Sequence, residues 1–421
     1  VFGATDFDTP HLDQMAKEGA LLTQYYAPQA VCSASRAGIL TGCYPNRIGI
    51  HNAFMPDAKK GLNPSELTMA EMLQEQGYVT AIYGKWHLGD APEFLPNQHG
   101  FDDYFGIPYS NDMWPIHTSS NPITKRKYEP LPVMSQDQAV AHVEDGVDQS
   151  LLAEVFTDKA IAFIKKNQKK PFFCYIPHAH VHKPRYARPE YLKRAEGNVD
   201  RAHVEEIDDS TGRVLHTLKD LKLDRNTLVI FTSDNGAASG MSSGPLRGGK
   251  GGPKYEGHMR VPTLAWWPGT IPAGSISKEI GVTTDLLPSL AKLTGSKVPD
   301  DRIIDGKDIS DVLLGKKDAQ SQHQLHYYEN EGIRRGDWKL VKKGSRSELY
   351  DLSKDPGERK DLSRSHPELV KELDRALQKH AASIAANLRP AGFAKHPKPI
   401  LREVGDLPTL KQYLVKQEQA P

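Results

Sequence analysis

The sequence predicts an α/β protein with a doubly wound, mostly parallel sheet flanked by helices and a smaller C-terminal α+β subdomain. Three continuous apolar runs, at 78–83, 172–176 and 228–232, have the composition of strands. Amphipathic helical segments precede the first and the third of these runs. Strands that are apolar throughout are typical of parallel sheets covered by helices on both faces, so the runs favour the α/β class.

The first two predicted helices have recognisable ends. Thr9 is a predicted N-cap, and Gly19 ends the helical segment that follows it. Thr68 and Glu71 have the spacing of a capping box ahead of a second helix, which Gly77 terminates. The first apolar run begins directly after this helix, which gives a helix followed by a strand.

The character of the sequence changes near residue 315, which predicts two domains, at 1–315 and 316–421. In the first domain, the third apolar run follows a helix whose apolar residues have helical spacing, namely Val204, Ile207, Val214, Leu215 and Leu218. In the second domain, strands are predicted at 324–328, 338–341 and 348–352 and a helix at 368–385.

Composition excludes several classes of protein. The chain of 421 residues has 54 Lys and Arg against 53 Asp and Glu, a net charge of +1 that provides no general attraction for nucleic acid. No apolar run reaches the roughly 18 residues of a membrane-spanning helix, so we predict no membrane span. Three cysteines are too few for a disulfide framework and lack the spacing of a zinc site. We expect Cys43 and Cys174 to be packed thiols.

Polar residues follow each of the three predicted strands. Gly84 to His87 follow the first, His178 to His182 the second, and Ser233 to Gly236 the third. Because ligands of α/β proteins bind beyond the carboxyl ends of the strands, we expect these loops to contribute to one site. Taken singly, each loop also has a purely structural interpretation as an ordinary turn.

The segment from Cys32 to Gly42 reads CSASRAGILTG and is the most informative in the chain. Cys32 lies at a predicted helix start, where backbone N–H groups and the helix dipole favour anions. Arg36 follows four residues later on the same side of the helix. These features suit an oxyanion, although an isolated cysteine is more often simply a small buried apolar residue.

This segment resembles the signature of type I sulfatases, in which Cys-x-(Pro or Ala)-x-Arg is recognised by a maturation enzyme that oxidises the cysteine to formylglycine. The resemblance is to arylsulfatase A-like enzymes of the alkaline phosphatase superfamily, and it implies an alkaline phosphatase-like sheet. Further motifs match in the family's order: GYVTAIYGKWHLG at 77–89, GIPYSNDM at 106–113, HVHKP at 180–184, TSDNG at 232–236 and LRGGKGGPKYEGHMRVP at 246–262.

The resemblance implies a covalent mechanism. Cys32, once converted to formylglycine, would be hydrated to a geminal diol, and one hydroxyl, activated by a divalent metal, would attack sulfur. The other hydroxyl would expel sulfate as the carbonyl forms again, a step that a thiol could not complete. Arg36, Lys85 and Lys250 would neutralise the sulfuryl group. His182 would protonate the leaving oxygen.

The same resemblance implies the remaining roles. His87 would take the last proton of the diol, and Ser110 and His180 would contact the substrate. Asp234 and Asn235 would bind Ca²⁺, with Mg²⁺ as the alternative ion, together with the formylglycine oxygen that Cys32 provides.

The sequence departs from the family pattern at three places. The Asp-Asp pair that completes the metal site in the family does not precede the first turn here, and we expect the first strand to lie upstream of Val1. Asp6 and Asp8 are not expected to replace the pair. Ala34 stands where Pro is commoner in the signature, and His258 stands where many relatives have Gly.

We therefore expect a sulfuric ester hydrolase that cleaves the S–O bond of aryl or carbohydrate sulfate esters in the periplasm or after secretion. Its partners would be a sulfated small molecule or sulfated carbohydrate and a formylglycine-generating maturation enzyme, and no nucleic acid. Two alternatives stay open. One is a phosphonate monoester or phosphodiester hydrolase of the same superfamily, and the other is a catalytically silent sulfatase-like binding protein.

Overall fold

The structure is a computed structural model that describes residues 2–115, 128–252, 254–395, 397 and 406–419. The helices are α1 Pro10–Glu18, α2 Cys32–Thr41, α3 Met69–Gln74, α4 Gly146–Lys166, α5 Pro189–Arg194, α6 Val199–Asp220, α7 Glu256–Met259, α8 Leu286–Thr294, α9 Ser310–Leu313, α10 Pro367–Ala386 and α11 Leu410–Glu418.

The strands are short, and most have two to six residues. They are β1 Ala20–Leu22, β2 Tyr25–Tyr26, β3 Lys60–Gly61, β4 Val79–Lys85, β5 Asp103–Ile107, β6 Leu131–Ser135, β7 Gln138–Val143, β8 Phe172–Tyr175, β9 Val229–Phe231, β10 Thr263–Trp266, β11 Ser275–Ser277, β12 Gly281–Val282, β13 His326–Tyr328, β14 Gly332–Arg335, β15 Trp338–Lys343, β16 Arg346–Asp351 and β17 Gly392–Phe393.

The chain forms two compact units. The first, which we call the Cys32 unit, contains mainly Met15–Ala53 and Leu228–Ala391. One of its sheets has the order β11-β1-β10-β9, with β11 parallel to β1 and the other pairs antiparallel. The helix α2 packs against α8. An antiparallel sheet, β13-β14-β15-β16, packs against α10 and forms the C-terminal α+β part of the unit.

The second, which we call the Lys85 unit, contains mainly Ala4–Gln14, Phe54–Thr227 and Gly392–Pro421. Its sheet has the order β7-β6-β5-β4-β8, in which β4 is parallel to both β5 and β8 and the remaining pairs are antiparallel. The helix α4 packs on β4, and α6 packs on α4.

The predicted α/β class is confirmed: mixed sheets are flanked by helices, and a C-terminal α+β part follows. The three apolar runs form β4, β8 and β9, and the Thr68–Glu71 capping box begins α3 as predicted. The sequence did not predict β14 (GIRR), whose alternation is too short to stand out. The domain boundary at residue 315 stays a prediction.

Two of the three strands formed by the apolar runs lie at sheet edges. In the Cys32 unit, β9 pairs with β10 on one side, and its three residues are only half-buried. In the Lys85 unit, β8 pairs with β4 on one side and is half-buried in the same way. Apolar strands are usually buried on both faces, so both edges differ from what their composition favours. Among the described residues, no helix is long and apolar enough to cross a membrane.

Candidate active site

Cys32 is the first residue of α2, as the sequence predicted. The residue before it, Val31, has extended backbone angles, and its side chain makes no capping hydrogen bond to the helix. Every residue of α2 is buried, and Cys32 is 3% exposed. At a helix start without a side-chain cap, the first backbone N–H groups have no partner within the helix. They therefore favour an anion at the N-terminal end of α2.

Lys250 lies against the Cys32 side chain. Its Nζ is 3.0 Å from Cys32 Sγ. Two backbone hydrogen bonds hold the surrounding loop: the N–H of Lys250 donates to the carbonyl of Ala237 (2.8 Å), and the N–H of Gly251 donates to that of Ala30 (3.2 Å). The sequence-predicted cation is therefore adjacent to the predicted nucleophile, and its loop is bonded to the segments on both sides.

Arg36, Asp234 and Asn235 complete this group. Arg36 Nε donates to Asp234 Oδ2 at 3.0 Å, and Asn235 Nδ2 lies 4.0 Å from Cys32 Sγ. Asp234 and Asn235 lie in the loop after β9, separated from the strand by two residues, so this loop places a carboxylate and an amide beside Cys32. Oxygen donors of this kind fit a hard divalent cation such as Ca²⁺ or Mg²⁺.

Two acidic side chains outside the predicted site have structural partners. Asp208, which lies within 4.8 Å of His11 and Asp209 in a possible metal-binding geometry, accepts the backbone N–H groups of His11 (3.1 Å) and Leu12 (2.7 Å). Asp208 therefore caps the start of α1. Asp8 pairs with Arg201 at 3.0 Å. Cys43 and Cys174 are thiols rather than a disulfide, as predicted.

In the Lys85 unit, the end of β4 carries two predicted residues. Lys85 is buried and its Nζ donates to Ser110 Oγ at 2.9 Å, so the structure brings this predicted pair together. His87 has a left-handed backbone conformation, with φ of +63°, which is uncommon for a residue other than Gly. Its Nε2 is 2.9 Å from the carbonyl oxygen of Phe54. Because a carbonyl oxygen can only accept a hydrogen bond, Nε2 is the donor. Strained backbone of this kind concentrates at functional sites.

His182 lies beside a carboxylate outside the predicted set. Its Nδ1 is 3.8 Å from Asp112 Oδ1. Burial raises the pKa of a carboxyl group, but His182, a hydrogen bond from Ser110 and the charge of Lys85 hold the pKa of Asp112 below its ordinary value. The signal in the sequence was only the polar turn YSND, which resembles many ordinary turns. The structure thus adds an ionised carboxylate to the predicted cations of this unit.

The loop that carries His182 is held in place by its neighbours. Nδ1 of His182 donates to the carbonyl oxygen of Lys183 at 2.6 Å, which fixes the ring tautomer and orientation. Asn111 Nδ2 donates to the carbonyl oxygen of Pro184 at 3.3 Å, so the segment that carries Ser110 is bonded to this loop.

His180 packs against two residues of α6. It is buried, its Nε2 is 3.2 Å from Glu206 Oε2, and its ring stacks on His203 with 3.9 Å between centroids. Burial, with a contribution from Arg188, lowers the pKa of His180 to about 3, so the ring is neutral. The structure gives His180 an internal packing role, and its contact with substrate stays a prediction.

Comparison with known proteins decides the family. The family model described as Sulfatase matches residues 1–296, and the model described as N-sulphoglucosamine sulphohydrolase, C-terminal, matches residues 253–383. The chain belongs to the sulfatase family. The C-terminal match indicates that the family relationship extends through the β13–β16 sheet and most of α10.

Curated sulfatases align over most of the chain. N-acetylgalactosamine-6-sulfatase of Canis lupus familiaris is 36% identical over 79% of this chain and 66% of its own length. Arylsulfatase A of Homo sapiens is 34% identical over 95% of this chain and 88% of its own length. The chain therefore spans slightly less than two thirds of the first of these relatives and most of the second.

A solved structure has the same fold. The sulfatase-family chain superposes on the structure described as Ps i-CgsB in complex with k-i-k-neocarrahexaose with a TM-score of 0.79 and 26% identity. The superposition covers 98% of this chain and 95% of that one. The α/β architecture predicted from the apolar runs is therefore the architecture of the family.

Proposed function

We propose that the chain is a sulfuric ester hydrolase that cleaves the S–O bond of sulfated carbohydrates and accepts aryl sulfates. The observation that carries this proposal is the position of Lys250 Nζ, 3.0 Å from Cys32 Sγ at the start of α2. The positive charge of Lys250 and the N-terminus of α2 both lie at the residue 32 side chain, which suits a nucleophile that must approach an anionic sulfate. The carbohydrate class is supported by relatives named for N-acetylgalactosamine-6-sulfate chemistry and by the neocarrahexaose complex.

The proposal includes conversion of Cys32 to formylglycine by a maturation enzyme. The hydrated aldehyde supplies the hydroxyl that attacks sulfur. Lys250 holds the negative charge of the sulfuryl oxygens, and Arg36, whose guanidinium is already oriented by Asp234, does the same from within α2. Both cations are held by packing and hydrogen bonds before substrate arrives, so little reorganisation is needed.

We propose that Lys85, Ser110, His182 and His87 keep the roles that the resemblance implies for them. Lys85 and Ser110 would bind a sulfate oxygen, since their side chains are already joined at 2.9 Å. His182 would give a proton to the leaving oxygen from Nε2, because Nδ1–H is engaged by the Lys183 carbonyl. His87 would accept a proton when sulfate is expelled.

Asp234 and Asn235, with the modified Cys32, would hold Ca²⁺ or Mg²⁺. The ion would supply Lewis-acid stabilisation of negative charge at the nucleophilic oxygen. Arg36, which is buried, pairs with the half-buried Asp234 at 3.0 Å and holds its carboxylate in place.

Removal of the metal is expected to lower turnover by about a hundredfold or more, because several kcal/mol of charge stabilisation are lost. Dialysis against a chelator, followed by addition of Ca²⁺ or Mg²⁺, measures this. Asp234→Asn should lose bound metal in elemental analysis, whereas His11→Ala in the other carboxylate cluster should retain it. An Asp234→Asn protein with full metal content would contradict the assignment.

The deciding experiment combines mass spectrometry and kinetics. Expression with a competent maturation enzyme should yield a Cys32 peptide in which the thiol has been replaced by an aldehyde. The protein should then hydrolyse an aryl sulfate faster than a matched aryl phosphonate or phosphodiester. A strong phospho preference would overturn the sulfatase assignment, and an unmodified thiol without bound metal would favour the silent binding protein. A periplasmic or secreted location stays a prediction.

Asp112→Asn is expected to shift the alkaline limb of the kcat profile to lower pH by about one unit, because a nearby carboxylate favours the protonated imidazole of His182. The comparison is the pH dependence of kcat for wild type and variant. Asp209→Asn is the matched control. Asp209 lies within α6 and pairs with Arg194, so this substitution should leave the pH profile unchanged. Identical profiles for Asp112→Asn and wild type would exclude this coupling.

A further inference from the structure

His258 occupies the centre of the loop that carries Lys250. It is the third residue of α7, and its Nδ1 accepts the backbone N–H groups of Lys254 and Tyr255, each at 3.1 Å. A side chain at the third helical position that bonds back to the residue before the helix is half of a capping box, a role that Glu or Gln usually has. His258 therefore closes the helix start and fixes the end of the loop.

The His258 ring also fills the space between the two glycine-containing sides of the loop. A Cβ added to Gly248 would lie 2.3 Å from the ring, and one added to Gly252 would lie 2.7 Å from it. Lys250 lies between these glycines, so the imidazole packs directly against the backbone on either side of it. Gly248 has a φ of +88°, which a residue with a side chain rarely adopts.

Backbone bonds connect this centre to the rest of the Cys32 group. The carbonyl of His258 accepts the N–H of Gly236, the residue after Asn235, at 2.8 Å. The N–H of Gly257 donates to the carbonyl of Arg247 at 2.8 Å, which joins the two ends of the loop. The loop is thus a closed unit whose interior is the His258 ring.

We propose that His258 is a positioning residue that holds the glycine-rich loop in the conformation that places Lys250 Nζ against residue 32. This inference rests on the proposed function for its kinetic consequence. Two N–H donors converge on Nδ1, so that nitrogen carries a lone pair and the ring proton is on Nε2. The charged groups facing the ring are Lys254 and Arg247 from the loop and Lys339 from β15, and burial together with these cations lowers the pKa of His258 to about 4.

The test separates the acceptor from the ring. His258→Gln keeps an acceptor at the position that capping boxes favour, whereas His258→Phe keeps the ring volume without an acceptor. We expect His258→Phe to lower kcat for an aryl sulfate by about tenfold to a hundredfold, since small misplacements of a catalytic group have effects of this size. His258→Gln should retain most of kcat.

Hydrogen exchange of the matured, metal-loaded protein provides a measurement independent of turnover. Exchange at the amides of Lys254 and Tyr255 should accelerate in His258→Phe and stay slow in His258→Gln, with unchanged thermal unfolding in both. Unaltered exchange in His258→Phe, wild-type kcat in that variant, or an equal kcat loss in both variants would overturn the proposal. If wild type hydrolyses no sulfate ester, the proposed function fails, and the exchange rates still decide whether His258 fastens the loop.

Discussion

Cys32→Ala is expected to lower turnover of sulfate esters by about 10⁴-fold or more, because loss of a covalent nucleophile removes the reaction path that the other groups serve. The side chain is small and at the start of a fully buried helix, so the fold should persist. Steady-state kinetics with an aryl sulfate, together with thermal unfolding of the same preparation, measures both quantities.

Cys174→Ala is the matched control for this substitution. Cys174 is also a thiol, but it lies within β8 and no catalytic role is proposed for it. The control should keep kcat within a few fold of wild type while changing stability slightly. Substantial activity in folded Cys32→Ala protein would refute the assignment of the nucleophile, whatever the behaviour of the control.

Lys339→Met is expected to lower the free energy of unfolding by about 3–5 kcal/mol, because it leaves two buried carboxylates without their shared cation. Lys339 Nζ lies 3.0 Å from Glu256 and 2.8 Å from Glu358, and all three side chains are completely buried. Burial raises the pKa of Glu256, but Lys339, Arg334 and Arg260 together hold that pKa far below its ordinary value.

Urea unfolding of Lys339→Met and of Lys371→Met measures this effect. Lys371 pairs with Glu368 at 2.8 Å on the exposed face of α10, and loss of such a surface pair costs about 1 kcal/mol or less. A Lys339→Met protein as stable as the surface control would show that the buried network contributes nothing net. Because Glu256 begins α7, we also expect the loop around Lys250 to loosen in the Lys339 variant.

Local sequence features predicted several elements of the fold. The apolar runs became β4, β8 and β9, and the Thr68–Glu71 spacing became a capping box. These features depend on residues close together in the chain, where side-chain period and hydrogen-bonding capacity act directly on the backbone. The same reasoning places Cys32 at a helix start, since small residues precede it.

Other residues could be interpreted only in three dimensions. Asp112 and His258 look like turn and loop residues in the sequence, yet one faces His182 and the other forms the interior of the Lys250 loop. Nothing in the sequence indicated that His180 also contacts Glu206, and its contact with substrate stays a prediction. Lysine side chains in short strands usually lie at the surface, but Lys339 is buried together with its partners Glu256 and Glu358.

The sequence by itself determined the apolar strands β4, β8 and β9, the capped start of α3 and the residue types of the proposed chemistry, because each depends on nearby residues. The tertiary structure decided which charges meet. Lys250 reaches Cys32 across 218 positions of the chain, and Arg36 reaches Asp234 across 198. Burial of a charge is tolerated only where an opposite charge or hydrogen-bond partner arrives with it, and long-range packing brings that partner.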